Sequence, residues 1–257
     1  MNRPTTNKEK NSTDILDILT KSRALLEFHR EIDLNYPLTT PIKKILHPSK
    51  PVTTQNLTED QRKIKIKTTP QPTISLNDVN TEITGCTRCS IAKNRQGILT
   101  GQGCVSKPAL LIISDRLTSE DIKTGKILSG SAGELLNKML SAIKLTEDDV
   151  YLTTIIKCCP LTGKTPEPAA IKACLPFVDQ QISALCPRII YTLGQSTAQA
   201  MLNTKAPLIR LRNKFYHFNT IPLLPSFHPS FLLKNPEMKK GAWHDLQMLD
   251  RFLQSRR

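Results

Sequence analysis

From residue 109 to residue 253, short apolar runs alternate with longer stretches whose apolar residues recur at helical spacing. The run Ala109-Leu110-Leu111-Ile112-Ile113 has the length and continuity of a strand buried on both faces. It is followed by a helical stretch at 131–144, in which Leu135, Leu136, Met139, Leu140 and Ile143 share one side. A second strand is expected at 150–156 and a helix at 167–185, with the stripe Ile171, Cys174, Leu175, Val178, Ile182 and Leu185. A strand at 188–193 runs into Gly194 and a short helix ending at Leu202. A strand at 221–225 then leads through a polar turn into a last helix carrying Trp243, Leu246, Leu249 and Phe252. Strands apolar along their whole length must be covered on both faces, and strands joined by helices run parallel. The expected fold class is therefore α/β, a three-layer sandwich with a mostly parallel central sheet flanked by helices. Ligands in such folds bind at the carboxyl ends of the strands.

Residues 1–82 read differently. They hold one helical pattern, Ile15, Leu16, Ile18, Leu19, Leu25, Leu26 and Phe28, and then a segment at 36–72 rich in Pro, Thr and Lys that has the composition of a linker. Two regions are thus expected: an N-terminal helix with a flexible basic linker at 1–82, and a folded domain at 83–257. The helix is a candidate for docking on the domain or recruiting a protein partner. With 36 Lys and Arg against 22 Asp and Glu, the chain carries a formal charge of +14. A polyanion is its natural partner, because neutralising phosphates releases counterions whatever the sequence. Lys43, Lys44, Lys63, Lys65 and Lys67 in the linker would add to such contacts. No apolar run approaches the roughly 20 residues that span a bilayer, and the start of the chain lacks a signal-type apolar stretch. A cytoplasmic, membrane-independent monomer is expected.

Seven cysteines in a reducing compartment argue against a disulfide framework. Cys86 and Cys89 form a C-x-x-C pair just ahead of the first long strand. Cys158 ends the second strand, and Cys174 lies on the helix that follows, so the four can converge. A four-thiolate site suits structural zinc or an iron–sulfur cluster, and spacing alone does not separate the two. The plainer alternative is that Cys158 and Cys174 are simply buried. Cys104, Cys159 and Cys186 show no comparable arrangement.

The segments VYLTTIIKCCP at 150–160, EPAAIKACLPFVDQQI at 167–182, PRIIYTLGQSTAQAML at 187–202 and IPLLPSFHPSFLLKNPEMKKGAWHDL at 221–246 resemble, in order and spacing, successive blocks of the family 4 uracil-DNA glycosylases. The resemblance covers residues 86–253. It implies a uracil-DNA-glycosylase-like fold, DNA as partner, and a 4Fe-4S cluster on Cys86, Cys89, Cys158 and Cys174, with zinc the lesser candidate. An enzyme of this kind extrudes the target base into a pocket and hydrolyses its bond to the sugar. A carboxylate offsets the charge that develops on the sugar, and a donor stabilises the departing base. The resemblance places His228, within His228-Pro229-Ser230, at the leaving base. The same tripeptide occurs as His47-Pro48-Ser49 without a preceding strand, so the strand at 221–225 is what distinguishes the second copy.

Elsewhere the family pattern is altered. Its G-E-A-P-G run becomes Ser114-Asp115-Arg116-Leu117-Thr118, Glu120-Asp121 follow, and its P-F-V-G becomes Ile127-Leu128-Ser129-Gly130 before Ala132-Gly133. Asp115 is the expected catalytic carboxylate, one methylene shorter than the family's glutamate. Leu128 replaces a stacking phenylalanine and loses the aromatic face. Thr154 stands in place of an asparagine, giving one hydroxyl where an amide both donates and accepts. Leu117, Leu128 and Thr154 are expected to shape the base pocket. Ser230, Leu232, Arg210 and Arg212 are expected at the DNA, with Leu232 or Leu233 as an apolar wedge filling the space left by an extruded base. The resulting expectation is a DNA glycosylase acting on uracil or a related deaminated base. A glycosylase fold that binds nucleic acid without cleavage, and a redox module, remain as alternatives.

Overall fold

The computed structural model describes residues 75–161 and 166–255. The expected N-terminal helix, the linker with its five lysines and the His47-Pro48-Ser49 copy all lie outside the described residues.

The sequence alternation becomes a six-stranded sheet. Its central strands are β3 (Leu110–Arg116), β4 (Val150–Ile156), β6 (Ile190–Leu193) and β8 (Ile221–Ser226), in the spatial order β4-β3-β6-β8, and every neighbouring pair among them is parallel. Two short antiparallel strands close the edges, β2 (Gln102–Gly103) beside β4 and β7 (Tyr216–Phe218) beside β8. A separate ribbon pairs β1 (Arg95–Ile98) with β5 (Cys158–Pro160). Sequence periodicity finds the central strands within a few residues. It misses β1, β2, β5 and β7, because runs of two to four residues are too short to show a period.

Side-chain alternation along the strands divides the core in two. Leu110, Ile112, Leu152, Tyr191 and Leu224 face α3 (Gly130–Ala142) and α8 (Lys239–Gln254), where Leu136, Met139, Leu246 and Leu249 pack. Leu111, Ile113, Ile155, Ile190 and Leu223 face α4 (Pro168–Leu185), which presents Val178, Ile182 and Leu185. These two layers of helix around one sheet form the three-layer α/β sandwich. Each fully buried leucine or isoleucine contributes about 1.5–3 kcal/mol relative to an exposed one.

One further helix, α1 (Leu76–Thr84), begins ahead of the domain start expected at residue 83. The Ser75 side chain caps it, accepting from Asn77 N–H at 3.3 Å, and Val79 and Ile83 pack on Phe177 of α4. Its last turn delivers the chain to Cys86. Among the described residues no helix is long and apolar enough to cross a membrane.

Candidate active site and four-cysteine site

Parallel strands bring their carboxyl ends to one edge of the sheet, and here Asp115 lies near the end of β3 and His228 in the turn after β8. The two side chains meet, with His228 Nε2 3.8 Å from Asp115 Oδ1. Asp115 Oδ1 also accepts the Arg116 backbone N–H at 2.8 Å, which limits its rotation. His228 is the N-cap of α7 (Pro229–Lys234): its Nδ1 accepts the Ser230 backbone N–H at 3.2 Å and lies 2.7 Å from Ser230 Oγ. An Nδ1 that accepts a backbone N–H leaves the proton of the neutral ring on Nε2. Nε2 in turn lies 3.0 Å from Ser114 Oγ. Burial pushes the His228 pKa below the usual imidazole value, with the Asp115 carboxylate acting in the opposite direction. The neutral, Nε2-protonated imidazole is therefore favoured.

Asp115 and His228 open onto a cavity of about 460 Å³, whose other walls include Leu208, Ile209, Phe227, Phe231 and Met238. Phe227 and Phe231 stack with ring centroids 5.3 Å apart. A cavity of this size, apolar with a few convergent polar groups, suits an organic ligand. The sequence reading missed its walls, which come from α6 (Leu208–Leu211) and the turn after β8. Phe227 and Phe231 flank the His228 turn, and their aromatic character was the available signal.

The three residues expected to shape the base pocket do not line this cavity. Leu117 is 1% exposed and belongs to the core beside Ile127 and Ile112, so it is a core residue and not a pocket wall. Thr154 is fully buried opposite Ser114 in the β3–β4 register, and its hydroxyl donates to the Ile156 carbonyl at 2.8 Å. Leu128 is half-buried, with a left-handed backbone at φ 56°. Its carbonyl lies so close to α3 that a Cβ on Gly133 would sit 1.8 Å from it, which requires glycine there. Asp121 organises this loop. Its carboxylate accepts from Thr118 N–H at 2.8 Å and from the Ser129 N–H and hydroxyl at 2.7 Å each, tying α2 (Ser119–Thr124) to the residue after Leu128. The T-x-x-D capping box was the legible sign of that role.

The residues expected at DNA also divide. Arg210 is exposed on α6, and Ser230 is exposed beside His228. Leu232 is 1% exposed within the core, which corrects its assignment to a DNA contact: the turn of α7 points Leu232 inward and leaves Phe231 and Leu233 outward, each 40% exposed. Arg212 is likewise an internal residue. Its side chain is 8% exposed, Nε donates to Asp245 Oδ2 at 2.8 Å, and its guanidinium lies 3.9 Å from the Phe227 ring centroid. The fully buried Asp245, on α8, also accepts the Ser226 hydroxyl at 2.6 Å. The pair thereby grips Ser226 and Phe227, the two residues that precede His228.

Cys86, Cys89, Cys158 and Cys174 line a single pocket with Ile83, Ala92 and Phe177. Burial raises the Cys158 thiol, with the Arg95 guanidinium opposing it, and burial raises the Cys174 thiol, with Lys157 opposing. Arg95 reaches Cys158 Sγ at 3.6 Å and donates to the Cys86 carbonyl at 2.6 Å. Lys157 is 1% exposed and donates only to neutral oxygens, Thr153 Oγ1 and Gln181 Oε1, both at 2.6 Å. Desolvation pushes its amine down to about 7, with the neighbouring Cys174 acting in the opposite direction. All-sulfur donors with the Arg95 guanidinium beside them match an anionic thiolate-bound group. Among the described residues no three such side chains converge on one ion.

Comparison with known proteins agrees with this arrangement. The uracil DNA glycosylase superfamily profile matches residues 100–247. The chain is 31% identical to a type-4 uracil-DNA glycosylase of Saccharolobus solfataricus over 191 residues, which span 71% of this chain and 88% of that protein. A type-4 uracil-DNA glycosylase of Pyrobaculum aerophilum is 30% identical over 193 residues, covering 70% and 98% of the two chains. One of Sulfurisphaera tokodaii is 29% identical over 184 residues, covering 68% and 83%. A carboxylate and an imidazole brought together at the carboxyl edge of one sheet, a family profile that spans both of them and relatives about 30% identical over most of their length together establish that this chain belongs to the uracil-DNA glycosylase superfamily, in its type-4 branch.

Proposed function

We propose that this protein hydrolyses the N-glycosidic bond of uracil, or of a related deaminated base, in DNA. The observation that carries the reading is the 3.8 Å approach of Asp115 and His228 at the mouth of one cavity, and the shared name of the type-4 relatives supports it. In the reaction a water oxygen bonds to the sugar carbon, the bond to the base nitrogen breaks with its electron pair leaving on the base, and the proton lost by the water ends on the released base by way of solvent. Asp115 is the proposed carboxylate that offsets positive charge on the sugar and orients the water. The Nε2–H of His228 is the donor for the base oxygen that gains negative charge, and a neutral imidazole serves because the partner becomes anionic. Exposed Arg210 and Ser230, with Leu233 as wedge, are the proposed DNA contacts.

Cys86, Cys89, Cys158 and Cys174 are the proposed ligands of a 4Fe-4S cluster. All four line one pocket, and a four-thiolate donor set suits an iron–sulfur cluster. Such a group would act as a cross-link between the start of the domain, the end of β4 and α4.

The test is abasic-site formation on uracil-containing single- and double-stranded oligonucleotides by anaerobically prepared full-length protein. Asp115→Asn and His228→Ala are each expected to lower kcat about 10²- to 10³-fold. Salt-sensitive DNA binding without cleavage by the unaltered protein would instead identify a binding module.

A further inference from the structure

The imidazole proton assigned to the leaving base is already engaged. Ser114 Oγ lies 3.0 Å from His228 Nε2, and with Nδ1 accepting from Ser230 the serine oxygen is the acceptor of the Nε2 proton. Ser114 and its register partner Thr154 are both fully buried, so this contact closes the inner side of the ring. The ring does not depend on Ser114 for its orientation, because the backbone N–H and the hydroxyl of Ser230 hold Nδ1 from the other side.

Resting on the glycosylase reading, we infer that Ser114 is a specificity-determining cap: its hydroxyl holds the Nε2 proton of His228, and a base is accepted only if its oxygen draws that hydrogen bond away from Ser114. A base carbonyl entering the site exchanges one neutral hydrogen bond for another and gains little. A base oxygen gathering negative charge makes the stronger, charge-assisted bond and wins the proton. The cap therefore selects bases that leave readily as anions and holds back those that do not.

Removing the hydroxyl frees the N–H. Ser114→Ala is expected to raise kcat/KM on uracil in single-stranded DNA roughly 2- to 12-fold, the size of one net neutral hydrogen bond. It is also expected to narrow the preference for uracil over bases that are poorer leaving groups. The same variant is expected to speed solvent exchange of the Nε2–H, followed by ¹⁵N-edited NMR on full-length protein without DNA. An equal or lower kcat/KM in Ser114→Ala, with the unaltered chain active, overturns the cap. If neither protein excises uracil, the functional reading fails by itself and the exchange rate alone judges the cap: acceleration supports the contact and an unchanged rate overturns it. Ser114→Gly serves as the second variant should alanine perturb β3.

Discussion

Burial at the ends of β3 and β8 disfavours the charged form of His228, so its pKa in the folded chain lies below the unfolded imidazole value of about 6.5. Between these two values the unfolded chain binds more protons than the folded one, so stability rises with pH across that window and is lost as pH falls through it. Two outcomes are expected together. The acid limb of kcat should have its midpoint below about pH 6.5, and urea unfolding should show stability declining from that pH downward. His228→Gln, read by the same two titrations, should flatten the stability slope. Asp115 and His228 were both legible in the sequence, because each follows a recognisable apolar strand within a family motif. Ser114 was not. A serine ending a buried strand carries no sign of its partner 114 positions away, and only the closure of the sheet brings the two together.

At the scale of elements, the helix following His228 shows why a motif read residue by residue goes astray. Leu232 and Leu233 are adjacent and chemically alike, yet one turn of α7 sends the first into the core and the second outward. Leu232→Ala should therefore cost about 2–5 kcal/mol of stability, measured by denaturant unfolding. Leu233→Ala should leave stability within about 0.5 kcal/mol and reduce excision from double-stranded DNA more than from single strands, where no partner strand must be pushed apart. The long strands and helices were readable because each repeats its period several times. The short edge strands and α6 were not, although α6 and the His228 turn supply half of the cavity wall.

Across the whole molecule, the four cysteines span 89 positions, taken as 174 − 86 + 1, and join α1, the β4–β5 junction and α4. C-x-x-C was legible because its spacing is local. The convergence of Cys158 and Cys174 was inferred from an expected strand end and helix, and the structure places both at that pocket. Cys174→Ser should lower bound iron, measured by metal analysis, and lower Tm, with a further drop in excision only to the extent that the domain loosens. The buried pair of Arg212 and Asp245 adds a different consequence. Asp245 lies 17 positions beyond His228, taken as 245 − 228, yet together with Arg212 it holds the two residues just before that histidine. During synthesis, therefore, a chain that has emerged through residue 235 already carries all four thiols and the imidazole but lacks the carboxylate that fixes the turn before it. The half that carries the four thiols can form on the ribosome, whereas the capacity to cut a glycosidic bond arrives late, when α8 closes over the sheet.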